Sequence, residues 1–121
     1  MMKSAEVVKA LSALAQATRL AIFRLLVVCG PEGITAGQVA EKLGVSPANL
    51  SFHFKTLSHA GLIVARQDGR FVYYAANFAV MNGMLAYLTE NCCEGNPDAC
   101  VDPKVLNPKN GCPQSTQIKL D

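Results

Sequence analysis

Three cysteines near the carboxyl end of this 121-residue chain carry its clearest chemistry. Cys92 and Cys93 are adjacent, Cys100 follows, and the intervening Gly95-Asn96-Pro97 favours a reversal of the chain. Thiolates are soft ligands that prefer thiophilic ions, and no histidine lies nearby, so these residues indicate a sulfur-only site. Adjacent side chains on a regular helix point about 100° apart. The pair can therefore share one ion only in a loop or at a frayed helix end.

The composition is that of one small globular domain. Half of the residues are hydrophobic and 17% are charged, which excludes disorder for most of the chain. The net charge of +2 divides into +3 on residues 1–91 and −1 on residues 92–121, which permits contact with nucleic acid but does not by itself indicate it. No stretch approaches the roughly 18 apolar residues of a membrane span. We therefore expect a cytoplasmic protein with reduced thiols and no membrane partner.

Two apolar helices are expected before residue 30. Ser4 and Thr18 are residue types that cap helices, and each precedes apolar residues at helical spacing. The predicted buried face of the first helix comprises Val7, Val8, Leu11, Leu14 and Ala15. The second helix runs to Cys29, which we interpret as a small buried hydrophobe. Gly30-Pro31-Glu32-Gly33 then breaks the chain.

The next segment predicts two short helices joined by a tight turn. Thr35 and Gln38 have the spacing of a capping box, and their helix should end at Gly44. Ser46 and Pro47 then start a second helix, because serine is a favoured N-cap and proline is tolerated at the first helical position. The buried stripe of this helix comprises Leu50, Phe54 and Leu57. Two helices in this arrangement form a helix-turn-helix.

A two-stranded hairpin and a final helix should follow. Residues 62–65 and 71–74 are rich in strand-forming side chains and flank Asp68-Gly69, a strong hairpin signal. Asn77 is placed to cap the last, strongly apolar helix.

The order of these elements predicts a mainly α fold with a β-hairpin wing (α+β). It is a winged helix-turn-helix of about five helices and two strands, and we expect it to be dimeric. The DNA-binding and dimerisation domain should occupy residues 1–91, and a cysteine-containing tail should occupy residues 92–121.

In a winged helix-turn-helix, the second helix lies in the major groove with its N-terminal residues at base edges. Asn49 can pair with adenine through its amide, and Ser51 and His53 can contact bases or phosphates. Arg66 and Arg70 flank the hairpin turn, from which they can reach the minor groove or the backbone. The candidate DNA-binding residues are Ser46, Ala48, Asn49, Ser51, Phe52, His53, Lys55, Arg66 and Arg70.

Residues 5–90 resemble the ArsR/SmtB family of metal- and metalloid-responsive repressors. The matching motifs are Leu11-x-x-Leu14-Ala15-x-x-Thr18-Arg19-Leu20, Val39-Ala40-x-x-Leu43-Gly44-Val45-Ser46, Leu50-Ser51-x-His53-x-Lys55-x-Leu57-x-x-Ala60-Gly61-Leu62 and Val64-x-Arg66-x-x-Gly69-Arg70-x-x-Tyr73-Tyr74. The resemblance implies a homodimer packed through the first and last helices. Such a dimer binds double-stranded operator DNA and represses transcription until an inducer binds.

Inducer sites of this family lie at different positions. Some members carry cysteines at the start of the recognition helix, but residues 46–51 contain none. The zinc site of other members needs Asp, His and Glu on the last helix, where residues 77–91 offer only Glu90. The tail resembles that of arsenite sensors whose three thiols follow the last helix. This resemblance implies Cys92, Cys93 and Cys100 as ligands.

Three thiolates suit the pyramidal geometry of trivalent arsenic, so arsenite is the expected inducer and antimonite is a second candidate. Cys112 could replace or join Cys100, and four thiolates would suit zinc or cadmium better. Cys92 and Cys93 alone would suit an organic trivalent arsenical. A further alternative is a redox-responsive repressor whose thiols form disulfides. No Cys-x-x-Cys motif is present and no His lies near the cluster to activate a nucleophile, so we expect neither an enzyme nor a catalytic cofactor.

Overall fold

The computed structural model describes residues 2–92. Within them lie five helices and three strands: α1 (Ser4–Leu14), α2 (Ala17–Cys29), β1 (Ile34–Thr35), α3 (Ala36–Leu43), α4 (Pro47–His59), β2 (Ile63–Asp68), β3 (Phe71–Ala76) and α5 (Phe78–Leu88). This architecture confirms the predicted winged helix-turn-helix. Of the tail predicted over residues 92–121, Cys92 alone belongs to the described part of the chain.

The sheet has one strand more than predicted. β2 and β3 form the wing as a hairpin, in which Asp68 pairs with Phe71 across the turn. β1 pairs with the other edge of β3, where Ile34 lies opposite Tyr74, so the strand order is β1-β3-β2. The prediction of two strands was wrong because a two-residue strand has no alternating pattern, and β1 ends directly before α3.

The start and the buried face of α1 both differ from the prediction. Lys3 is the N-cap and Ser4 is the first helical residue, while the Glu6 carboxylate accepts the backbone N–H of Lys3 at 3.2 Å. Val7 is buried, but Val8 is 59% exposed. The remaining buried residues of α1 are Ala10 and Ala13, and the exposed ones include Leu11 and Ala15. Leu14 is half-buried and packs against the core, so the buried side of α1 combines Val7 and Leu14 with the small alanines, while Val8 and Leu11 are exposed.

The helix α2 lies at the centre of the core. The predicted cap Thr18 was wrong, because Gln16 occupies the N-cap and its side-chain oxygen accepts the backbone N–H of Arg19 at 2.8 Å. The buried residues of α2 are Ala21, Ile22, Phe23, Leu25 and Leu26. Cys29 is half-buried at the end of the helix and packs against the same core, which agrees with its interpretation as a small hydrophobe. Within residues 2–92 no single helix is both long and apolar enough to cross a membrane, and α1 with α2 reaches that length only as a pair bent by 105°.

Asn77 fixes the start of α5, as predicted. Its Oδ1 accepts the backbone N–H of Val80 at 3.4 Å, and its Nδ2 donates to the Gly61 carbonyl oxygen at 3.0 Å. These contacts tie α5 to the chain that follows α4. The only residue of α5 that is buried is Met84. Its exposed large apolar residues are Leu85, Tyr87 and Leu88.

Candidate nucleic-acid interface

Local hydrogen bonds define both ends of α3, the first helix of the helix-turn-helix. Thr35 Oγ1 accepts the backbone N–H of Gln38 at 3.2 Å, and Gln38 Oε1 accepts the backbone N–H of Thr35 at 2.9 Å. Gly44 ends α3 in the left-handed region at φ 67° and ψ 33°, and its N–H donates to the Ala40 carbonyl at 2.8 Å. Both the capping box and the glycine stop are therefore confirmed.

The helix α4 starts and packs as predicted. Ser46 Oγ accepts the backbone N–H of Asn49 at 3.4 Å, and Pro47 occupies the first helical turn. The buried stripe comprises Leu50, Phe54 and Leu57. Because one side of α4 is held in the core, the opposite side has a fixed direction and faces solvent.

Most of the candidate residues on α4 lie on that solvent-facing side. The exposed ones are Ser46, Ala48, Asn49, Ser51, Phe52 and Lys55. We call Ala48, Asn49, Phe52 and Lys55 the reading face, since these positions lie three or four residues apart on the helix. DNA contacts by these residues stay predictions.

His53 does not lie on the outward side, so its predicted orientation was wrong. The residue is half-buried, and its Nδ1 atom is buried without a hydrogen-bond partner. The ring of Phe52 meets the ring of His53 edge-on, with 5.8 Å between the centroids. Burial, and secondly the charge of Arg19, lower the pKa of His53 below the ordinary value of 6.5.

Acidification is expected to destabilise the fold through His53. Its pKa is lower in the folded than in the unfolded chain, so the unfolded state binds more protons between the two values. Stability is therefore full above the unfolded pKa and falls as the pH drops through it toward the folded pKa. Urea unfolding of the wild type should give a lower free energy near pH 5.5 than near pH 7.5. His53→Gln should lose part of this difference, whereas replacement of the exposed His59 by glutamine should preserve it.

The two wing arginines differ in their surroundings. Arg70 is exposed in the hairpin turn. Arg66 donates through Nη2 to the Glu32 carbonyl oxygen at 3.1 Å, lies 3.5 Å from the Asp68 carboxylate and packs over the Tyr73 ring at 4.9 Å. Its guanidinium is half-exposed but already engaged, so Arg70 is the better placed of the two to meet a phosphate. Tyr73 was not predicted as a partner of Arg66, although the register of the hairpin pairs the two residues directly.

The chain leaves its helical path immediately before the cysteine pair. α5 ends at Leu88, with Thr89 as its C-cap, and Asn91 adopts the left-handed region at φ 54°. Cys92 is half-buried, and its backbone N–H donates to the Thr89 carbonyl at 2.9 Å. The path of α5 is therefore interrupted before Cys92, which itself has helical conformation. Residues 93, 100 and 112, which hold the other tail cysteines, lie outside the described residues.

No metal site is assembled within residues 2–92, where no three His, Cys, Asp or Glu side chains lie close enough together to hold an ion. Cys29 and His59, which were not proposed as ligands, lie at the end of α2 and on the surface of α4.

The helices α3 and α4 with the β2–β3 wing define a winged helix-turn-helix, a class of fold that presents one helix to DNA. Residues 14–66 match the family described as a helix-turn-helix domain. The chain is 45% identical over 69 residues to the uncharacterized HTH-type transcriptional regulator YceK of Bacillus subtilis (strain 168). The match covers 57% of this chain and 65% of YceK, so the chain spans less than two-thirds of the length of that relative. It is 30% identical over 65 residues to the transcriptional repressor SdpR of the same organism, covering 54% of this chain and 72% of that protein.

Solved structures show the same architecture. An ArsR-like transcriptional regulator from Rhodococcus sp. RHA1 matches with a TM-score of 0.63 at 25% identity, covering 84% of this chain and 92% of that chain. A homodimeric winged helix-turn-helix DNA-binding domain from Mycobacterium bovis matches with a TM-score of 0.54 at 22% identity, covering 74% of this chain and 83% of that chain. This chain belongs to the ArsR family of winged helix-turn-helix transcriptional regulators, a family of DNA-binding proteins that are not enzymes.

Proposed function

We propose that this chain is a transcriptional repressor that binds operator DNA as a homodimer and releases it when trivalent arsenic binds Cys92, Cys93 and Cys100. Arsenite is the proposed inducer, and antimonite shares its pyramidal geometry and its preference for thiolates. The observation that carries the proposal is the left-handed Asn91, which interrupts the helical path directly before the cysteine pair. The interruption separates Cys92 from the regular path of α5, so the chain that carries the thiols is free of the axis of that helix.

The DNA-binding part of the proposal is supported by the way in which α4 is held. Its apolar stripe is buried, while Asn49 and Lys55 are exposed on the other side with the donors and the charge that bases and phosphates require. Arg70 extends the positive charge to the wing tip. One relative, SdpR, to which the chain is 30% identical over 65 residues, is a transcriptional repressor.

The homodimer is supported by apolar surface that the single chain leaves uncovered. On α1, Val8 and Leu11 are exposed, and on α5, Leu88 is 59% exposed. The start of α1 lies near α5, because the Met2 side chain, just before α1, packs against Gly83 of α5. Several exposed large apolar residues on two helices are typical of a subunit interface. The related Mycobacterium bovis domain is itself homodimeric.

The proposed release couples the thiol site to the dimer face through α5. The cysteine pair follows the end of α5, and the exposed apolar side of the same helix faces the partner in the proposed dimer. Ordering the chain around arsenic at that end changes the dimer geometry and hence the spacing of the two α4 helices. The required difference in affinity between the two geometries is about 1–3 kcal/mol, a common size for allosteric coupling.

Fluorescence anisotropy of the reduced, full-length protein on DNA from upstream of its own gene tests this proposal. Arsenite, antimonite, zinc, cadmium and hydrogen peroxide are titrated separately into the complex. We expect arsenite to release the DNA at micromolar concentration, and we expect peroxide, added after the reductant is removed, to leave it bound.

Release by zinc or cadmium alone would contradict the arsenic site and favour a four-thiolate site that includes Cys112. Release by peroxide, with a mass loss of two protons per disulfide, would favour the redox-responsive alternative. Absence of any sequence-specific binding would overturn the repressor itself.

A further inference from the structure

Phe52 is a large apolar residue that the fold leaves exposed. It is 65% exposed, the largest exposed fraction among the large hydrophobic residues of the described chain. The neighbouring positions that hold α4 in the core are Leu50 and Phe54, so the ring of Phe52 adds little to that packing. An exposed phenylalanine in the middle of a polar helix surface indicates a contact made outside the subunit.

The surroundings of Phe52 form a small apolar spot within the reading face. Ala48 lies one turn earlier on the same side and is also exposed. Asn49 and Lys55 flank this pair at a spacing of three residues from Phe52. The Thr56 hydroxyl donates to the Phe52 carbonyl oxygen at 3.3 Å, which directs this polar group to the helix backbone. The spot is therefore apolar at its centre and polar at its edges.

We propose that Phe52, with Ala48, reads thymine by contacting its 5-methyl group in the major groove. Among the base-pair edges of the major groove, the thymine methyl is the one apolar group, and phosphate and sugar contacts call for polar or charged side chains. The inference rests on the proposed DNA-binding function and makes Phe52 a specificity-determining residue. It also specifies one feature of the operator: each half-site places a thymine opposite the second turn of α4.

The contact is tested by removing the methyl group from the DNA. An operator is selected from a random duplex library with the full-length wild-type protein, and each thymine is then replaced singly by deoxyuridine. At one or two positions per half-site we expect binding to weaken about fourfold, which corresponds to ~0.8 kcal/mol for one buried methyl group. Substitution at the equivalent position of both half-sites should weaken binding about 15-fold if the two contacts are independent.

The matched variants are Phe52→Ala and Phe71→Ala. Both residues are exposed phenylalanines, but Phe71 lies on the wing at the start of β3. Phe52→Ala changes both subunits of the proposed dimer, so it should weaken binding to the thymine operator about 15-fold, as the double uracil substitution does. The variant should no longer distinguish thymine from uracil at the sensitive positions. Phe71→Ala should retain the full sensitivity to uracil. Circular dichroism and urea unfolding should give wild-type values for Phe52→Ala, because the side chain is mostly exposed.

The outcomes separate this inference from the proposed function. If no sequence is enriched in the selection, DNA recognition itself fails. If an operator is found but no uracil substitution weakens binding, or if Phe52→Ala retains the same sensitivity, the protein is a specific DNA binder and the role of Phe52 is overturned.

Discussion

Replacing Cys93 with serine is expected to leave operator binding at the wild-type level and to abolish its weakening by arsenite. In the proposed site each trivalent arsenic is bound by three thiolates, and a serine hydroxyl is neither soft nor ionised at neutral pH. The wild type should lose about 5- to 150-fold in operator affinity when arsenite is added, the range of common allosteric couplings. The variant should lose none of it. Anisotropy titrations at fixed reductant concentration measure both quantities, and Cys92→Ser and Cys100→Ser should behave in the same way.

Two further cysteines serve as controls for that result. Cys29 lies at the end of α2 and packs against the core, so Cys29→Ala should retain the full response to arsenite. Cys112→Ser should also retain it if three thiolates suffice. Release by arsenite that survives Cys93→Ser would remove this residue from the ligand set, and loss of the response in Cys112→Ser would establish a fourth thiolate.

Replacing Gly33 with alanine is expected to destabilise the fold more than any other glycine-to-alanine change in the turns of the described chain. Gly33 has φ 78°, and a Cβ atom there would collide with the Tyr74 carbonyl oxygen and lie 2.8 Å from its carbon. The obstacle is the backbone of β3, which cannot rotate away because Ile34 pairs with Tyr74. A left-handed alanine costs roughly 1–2 kcal/mol, and the forced shift of a packed strand adds about 1–3 kcal/mol. Urea unfolding monitored by circular dichroism should therefore show a loss of about 2–5 kcal/mol.

Gly44→Ala is the matched control for this substitution. Gly44 also has a positive φ, of 67°, but an added Cβ would find no atom within 4 Å. Gly44→Ala should therefore lower the free energy of unfolding only by the roughly 1–2 kcal/mol of backbone strain. Equal losses at the two positions would mean that the close approach of β3 contributes nothing.

The elements that the sequence predicted best are those defined by nearby residues. The capping box of Thr35 and Gln38 and the cap at Ser46 use side chains three residues from their partners, so spacing along the chain is sufficient to identify them. Even locally the prediction can fail. Thr18 was a better N-cap by residue type than Gln16, yet the helix starts two residues earlier, where the longer side chain of Gln16 accepts the free backbone N–H of Arg19.

Features that depend on distant residues could not be predicted in this way. The strand β1 exists because Ile34 meets Tyr74, and Arg66 is held by the carbonyl oxygen of Glu32, 34 residues away. The orientation of His53 depends on how α4 rotates against the helices beneath it. The spacing of apolar residues along α4 does not decide whether His53, next to the buried Phe54, lies in the core or on the surface.

The division of α4 into a buried and an exposed side also determines which of its residues can be substituted during evolution. The positions that hold the helix, such as Leu50 and Leu57, are buried, whereas Ala48, Asn49 and Phe52 are exposed. Exposed substitutions on a helix usually change stability by less than about 0.5 kcal/mol. In the proposed complex with DNA, point mutations on the outer side would therefore change the preferred operator while the domain still folds. The same positions are the natural choice for engineering a regulator with a different operator.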